Sequence, residues 1–154
     1  MGTRAALITG AARRIGRAIA THLAGEGWDI AAHYNTSLQE ALSLQAETRS
    51  LGVDCRLYAA DLTDPAAADR LAEACIRDLP HACLLVNSAS IFKKDTVATL
   101  SPALWEEHLR INALSPILLT RAFHRRARAR EAGAAGSIDH GLHVRCRYRS
   151  TELG

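Results

Sequence analysis

The sequence predicts a three-layer α/β fold: a parallel sheet with helices on both of its faces. Three observations carry the prediction. Short apolar runs alternate with stretches of helical spacing, in the order β-α-β-α-β-α-β-α. The helical stretches each run to about a dozen residues or more, the length that a crossover between parallel strands needs. Glycines, a capping acid and prolines fall at the boundaries between the two kinds of segment.

The first run, Arg4–Thr9 (RAALIT), stops at Gly10 and fits a buried strand. Beyond it Ile15, Ala18, Ile19 and Leu23 fall at helical spacing, with Gly25 and Gly27 as the stop. Asp29–Tyr34 (DIAAHY) is the second strand. Leu38, Ala41, Leu42 and Gln45 line the next helix, which ends at Gly52, placed as a C-terminal glycine should be. Cys55–Ala60 is the third strand. Asp64 then offers an N-cap carboxylate with Pro65 at the first helical position, ahead of an apolar face of Ala68, Leu71, Ala72, Cys75 and Leu79. Cys83–Val86 (CLLV) is the fourth strand and enters the polar turn Asn87-Ser88-Ala89-Ser90. Ser101-Pro102 opens another helical stretch, in which Pro116 must kink or divide the helix. No internal repeat and no linker breaks this order.

Composition narrows the function classes. The chain of 154 residues is one domain in size, and 48% hydrophobic with 23% charged residues is globular rather than disordered. A net charge of +3 is too small to argue for nucleic acid or a membrane surface. No apolar run approaches the roughly 18 residues of a spanning helix. The N-terminus lacks the apolar stretch of a secretory signal. Cys55, Cys75, Cys83 and Cys146 have neither CxxC nor zinc-ligand spacing, so reduced thiols in a cytoplasmic protein are expected. His22, His33, His81, His108 and His124 are scattered, and His140 and His143 lie near the end, so no metal site is expected. Residues 121–130 (RAFHRRARAR) carry five arginines with only Phe123 interleaved, which reads as a solvated helix end rather than a nucleic-acid contact.

Chemistry first shows in Thr9-Gly10-Ala11-Ala12-Arg13-Arg14-Ile15-Gly16, which joins the first strand to the first helix. A strand, a glycine turn and a helix start place a pyrophosphate on helix N-terminal amides. Gly10 permits the tight turn, and Gly16 lets the helix pack close to the strand. Past the second strand the chain reads His33-Tyr34-Asn35-Thr36-Ser37, with no acid until Glu40. An acid at that place would bind the ribose hydroxyls of NAD and repel a 2′-phosphate. An uncharged strand end beside Arg13 accepts the phosphate, so the expected cofactor is NADP(H). Arg14 and Arg17 fit phosphate clamps and ordinary helix-surface charges equally.

These residues resemble the short-chain dehydrogenase/reductase family, whose loop pattern is Thr-Gly-x-x-x-Gly-x-Gly. The match holds at Thr9, Gly10 and Gly16, while Arg14 stands where the family has its middle glycine, and TGAARRIGRAIA looks most like the pteridine-reductase-like branch. Asp61-Leu62-Thr63 is similar to the family's adenine-side motif after the third strand. Asn87-Ser88-Ala89-Ser90 is similar to its Asn-Asn-Ala-Gly, with Ser88 and Ser90 as departures. Asn112 in RINALSP matches the asparagine of its catalytic tetrad. The resemblance runs from residue 4 to about 138. It implies an incomplete Rossmann-type doubly wound sheet of at most five strands over residues 1–138. It implies NADP(H) at Thr9, Gly10, Arg13, Arg14, Ile15, Gly16, His33, Asn35, Ser37, Asp61, Leu62, Asn87, Ser88 and Ala89. The implied reaction is reduction of a carbonyl or a pteridine-type ring by NADPH.

The family works with a serine and a Tyr-x-x-x-Lys, whose lysine lowers the tyrosine pKa for general acid catalysis. The tyrosines here are Tyr34, Tyr58 and Tyr148, followed four residues on by Leu38, Leu62 and Glu152, and the lysines are Lys93 and Lys94. No Tyr-x-x-x-Lys exists in this sequence. Gly136-Ser137-Ile138 resembles the start of the family's fifth strand, but Asp139-His140-Gly141 follows, and Ser137 comes too early to be its serine. The pattern ends there, as a frame change, a truncation or a divergent C-terminus would make it. Residues 139–154 are therefore expected to be a disordered tail. The expected function is the NADP(H)-binding part of such a reductase, inactive as written. Alternatives are a reductase that takes an acid from the tail, and a non-enzymatic nucleotide-binding or interaction protein. A nicotinamide dinucleotide is the expected partner, a small-molecule substrate enters only if the chain is active, and a homo-oligomer is left open.

Overall fold

The computed structural model describes residues 4–133 and 143–146. The strands are β1 (Arg4–Ile8), β2 (Trp28–Tyr34), β3 (Cys55–Ala59), β4 (Ala82–Asn87) and β5 (His143–Cys146). Between them run α1 (Arg14–Gly25), α2 (Leu38–Ser50), α3 (Pro65–Asp78), α4 (Pro102–Leu109) and α5 (Ser115–Gly133). The strands pair in parallel in the order β3-β2-β1-β4-β5, so the expected doubly wound three-layer sheet is what forms. The winding reverses between β1 and β4, and that switch point opens a crevice past their C-terminal ends.

Alternate residues of each strand feed two cores. Ala5 and Leu7 of β1, Ala31 of β2 and Leu85 of β4 face one side, under Leu71 and Cys75 of α3 and Leu119 and Phe123 of α5. Ala6, Ile8, Ile30, Ala32 and Cys55 face the other, under Ala20 and Ala24 of α1 and Leu44 of α2. For α3 the expected face is the buried one, from Ala68 to Leu79, and Asp64 caps it by accepting from the Ala66 N–H at 2.9 Å.

Two helix faces differ from the periodicity. In α1 the buried residues are Gly16, Ala20 and Ala24, while Ile15 is 41% exposed. Small residues four apart bring the helix axis close to the sheet, and the larger Ile19 and Leu23 flank that contact. In α2 the buried residues are Ala41, Leu44 and Thr48, with Leu38 and Leu42 exposed; the Thr48 hydroxyl is satisfied by donating to the Leu44 carbonyl at 2.9 Å. Pro116 acts as expected. A π-helical turn, Arg110–Leu114, divides α4 from α5 and gives the proline ring the room that an α-turn lacks.

The end of the chain also differs from expectation. His143–Cys146 form β5 beside β4, with Leu84 opposite His143 and Asn87 opposite Cys146. An open parallel edge recruits backbone donors and acceptors and needs no apolar run, so hydropathy does not foretell this strand. Residues 134–142 and 147–154, including Ser137 and the rest of the expected tail, lie outside the described residues.

Candidate nucleotide-binding site

The loop between β1 and α1 folds tightly on itself at the crevice. Gly10 has φ +63°, and a Cβ there would lie 2.9 Å from the Ala89 Cα and 3.1 Å from the Ala89 nitrogen. A Cβ at Gly16 would overlap the Gly10 carbonyl. Both glycines are thus required by close backbone approach: the turn after β4 packs on Gly10, and the start of α1 packs on the Gly10 carbonyl. Arg14 opens α1 at φ +51°, the left-handed conformation that the family's glycine would take without strain.

Arg13 precedes α1 in an extended conformation and gives it no side-chain cap. The first helical bond runs from the Arg17 N–H to the Arg13 carbonyl, 3.2 Å, so the Arg14, Ile15 and Gly16 amides have no acceptor within the helix. No acid stands in that first turn to neutralise the positive end of the helix dipole. The loop therefore offers a set of donors to an anion.

Thr9 and His33 hold the loop from behind. The Thr9 hydroxyl accepts the Ser88 and Ala89 N–H groups at 2.9 and 3.0 Å and donates to the Val86 carbonyl at 3.4 Å, which ties the end of β1 to the turn after β4. Nδ1 of His33 accepts the Gly10 N–H at 3.2 Å, and Nε2 lies 3.0 Å from the Ala60 carbonyl. The His33 backbone carbonyl accepts the Ala11 N–H at 2.9 Å. The imidazole is buried, and burial pushes its pKa below the usual histidine value against the opposing pull of Ala60. Sequence reasoning offered His33 to the cofactor; the structure commits both ring nitrogens to backbone.

Beyond β2, Asn35 is exposed and Ser37 caps α2 without using its hydroxyl in a cap bond. Arg13 reaches Glu40 in the first turn of α2, Nη2 to Oε1 2.7 Å, with both side chains exposed. The Glu40 carboxyl is held below its usual range first by its own backbone N–H and then by Arg13. This pair was not foreseen, although Glu40 is the first acid past the strand.

Next to Ala60, the Asp61 carboxylate accepts the Thr63 N–H at 2.9 Å, and Leu62 is buried in the core under α3. Asn87 is buried at the end of β4 and donates to the Thr120 hydroxyl at 3.3 Å. Asn112 lies in the π-helical turn, where its side chain holds both backbone groups of Ile91 at 2.9 Å. Hydrogen bonds thus join the glycine loop to His33 of β2, through it to Ala60 after β3, and to the turn after β4, while Leu62 packs in the core and Asn112 braces the segment that follows β4.

Other candidates fall away. Among the described residues no group of His, Cys, Asp and Glu could hold a metal ion. Cys55 and Cys75 are core thiols whose pKa burial raises, for Cys75 to about 12. In the arginine run, Arg125 pairs with Asp69 and Arg126 with Glu73 at 3.0 Å, both on α3. No helix among the described residues is long and apolar enough to cross a membrane.

Comparison with known proteins locates the arrangement. The family model described as short chain dehydrogenase matches residues 4–138. The 3-oxoacyl-[acyl-carrier-protein] reductase FabG of Staphylococcus aureus is 30% identical over 110 residues, 71% of this chain and 45% of that protein. A short chain dehydrogenase from Burkholderia cenocepacia J2315, solved in complex with NADP, is 32% identical with a TM-score of 0.78, over 81% of this chain and 51% of its own. The FolM alternative dihydrofolate reductase 1 from Brucella suis, also in complex with NADP, is 31% identical with a TM-score of 0.72, over 80% of this chain and 50% of its own. The chain spans about half the length of these relatives.

Proposed function

The chain belongs to the short-chain dehydrogenase family, and on that premise we propose that it is the NADP(H)-binding part of a pteridine-reductase-like enzyme, without hydride transfer of its own. The observation that carries the reading is the tight glycine turn at Gly10 and Gly16, packed backbone to backbone, which presents the three first amides of α1 with no helical acceptor. The Arg14, Ile15 and Gly16 amides would hold the pyrophosphate. Arg13, with Asn35 and Ser37 between β2 and α2, would hold the 2′-phosphate, since no acid ends that strand to repel it. Asp61 and Leu62 would line the adenine side, and Asn87, Ser88 and Ala89 the wall toward the nicotinamide. Solved relatives in complex with NADP, FolM among them, support both the cofactor and the branch.

A bound NADPH would bring a hydride donor to the crevice; the residues of this chain would bind and orient it. Asn112 braces the segment after β4 through Ile91. What the sequence lacks is an acid to protonate the reduced product: none of Tyr34, Tyr58 and Tyr148 has a lysine one helical turn on. Tyr58 donates to Asp78 at 3.2 Å and its pKa is raised by burial, the opposite of a general acid's tuning. The protein fits the reduced thiol pool of the cytoplasm. The test is NADPH binding measured beside NADPH oxidation, with carbonyl and pterin substrates. Binding with oxidation at background is expected, because general acid catalysis alone typically contributes ~10²–10⁴ in rate. Turnover that vanishes in Asn112→Ala would overturn the second half of the reading.

A further inference from the structure

His33 links two walls of the crevice from inside the protein. Its Nδ1 accepts the Gly10 N–H at 3.2 Å, and its Nε2 faces the Ala60 carbonyl at 3.0 Å. A carbonyl oxygen only accepts, so Nε2 carries the proton and Nδ1 the lone pair, which selects one neutral tautomer. The residue is 2% exposed, so water does not compete for either bond. Its own carbonyl takes the Ala11 N–H, and β2 thereby grips two successive residues of the glycine loop. Gly10 is also the residue whose φ of +63° turns the chain and whose missing Cβ lets Ala89 approach.

We propose that His33 is a positioning residue for the dinucleotide: through Nδ1 it holds Gly10 in the left-handed turn of the glycine loop. It touches no phosphate. The inference rests on the NADP(H) reading of the crevice, and it goes further by assigning the loop's geometry to one buried tautomer. A histidine that only fills space in the core would tolerate either amide replacement equally. A positioning histidine would not, since Asn places an acceptor near Nδ1 whereas Gln places a donor near Nε2.

Two measurements test it. In the cofactor-free wild type, ¹⁵N NMR should show the neutral Nε2–H tautomer and a scalar coupling between the Gly10 nitrogen and His33 Nδ1 across the hydrogen bond. Titration with NADPH should then find His33→Asn close to wild type and His33→Gln weaker by roughly tenfold, the effect of one lost hydrogen bond to the loop. An Nδ1–H tautomer, an absent coupling, or equal losses in the two variants would overturn the proposal. If neither variant folds, the wild-type coupling decides, its presence supporting the assignment and its absence refuting it. Wild-type protein that keeps the coupling yet fails to bind NADPH would sink the cofactor reading instead, so the two failures are distinguishable.

Discussion

Replacing Arg14 with glycine should stabilise the fold. Arg14 sits at φ +51°, in the region that costs a side-chain-bearing residue about 1–2 kcal/mol. Its cation also stands in the first turn of α1, where it opposes the helix dipole at a cost of about 0.3–1 kcal/mol. Against these gains, glycine loosens the unfolded chain by about 0.4–1 kcal/mol. The balance is a stabilisation of about 1 kcal/mol, which in a domain of this size raises Tm by about 2–4 °C. Thermal melting of Arg14→Gly followed by circular dichroism reads it directly. If Arg14 also clamps phosphate, NADPH and NADH should weaken alike, because the pyrophosphate is common to both. An unchanged or lowered Tm would refute the strain argument and mean that Arg14 does not hold this backbone in solution.

Two other perturbations follow from the same loop. Thr9→Val leaves the Ser88 and Ala89 N–H groups without the acceptor they share, so chemical denaturation should show a loss of about 1–3 kcal/mol, with Thr9→Ser close to wild type. Equal stability of the two variants would show that the hydroxyl is not what joins β1 to the turn after β4. The pH dependence of stability should carry the mark of His33, whose pKa in the folded state lies below its ordinary 6.5. Below that pH the unfolded chain takes up a proton that the folded chain refuses, so stability is full above it and falls as the pH drops toward the depressed value. Tyr58, level with His33 on β3, is occupied with Asp78. Urea midpoints at pH 7.5 and 5.5 should therefore differ in the wild type and converge in His33→Asn; a flat wild-type profile contradicts the assignment.

Some of this was legible in the sequence and some was not, for physical reasons. The inner strands are written as apolar runs, and β1 to β4, the edge strand β3 included, stand out within a residue or two. Asp64-Pro65 announces α3 locally, and its face reads correctly because the residues packing there are large. In α1 the contact is made by Gly16, Ala20 and Ala24, which a hydropathy count passes over in favour of Ile15 and Ala18. Close approach, not hydrophobicity, decided that face. The tight turn of the glycine loop was legible because its geometry is set within eight residues. His33 was not: a polar residue at a strand end looks like a ligand contact, and only the fold reveals that both its nitrogens are spent on backbone. The Arg13–Glu40 pair crosses from one helix start to another and leaves no local pattern. β5 answers an edge that no short-range signal describes.

The central claim, that the crevice holds a 2′-phosphorylated dinucleotide, is tested most directly by titrating the protein's fluorescence with NADPH and with NADH. NADPH should bind more tightly, and Arg13→Ala should cost about 1–3 kcal/mol on NADPH with little change on NADH. Equal or reversed affinities in the wild type would contradict the account, since the uncharged end of β2 and the guanidinium beside it would then have no part in choosing the cofactor.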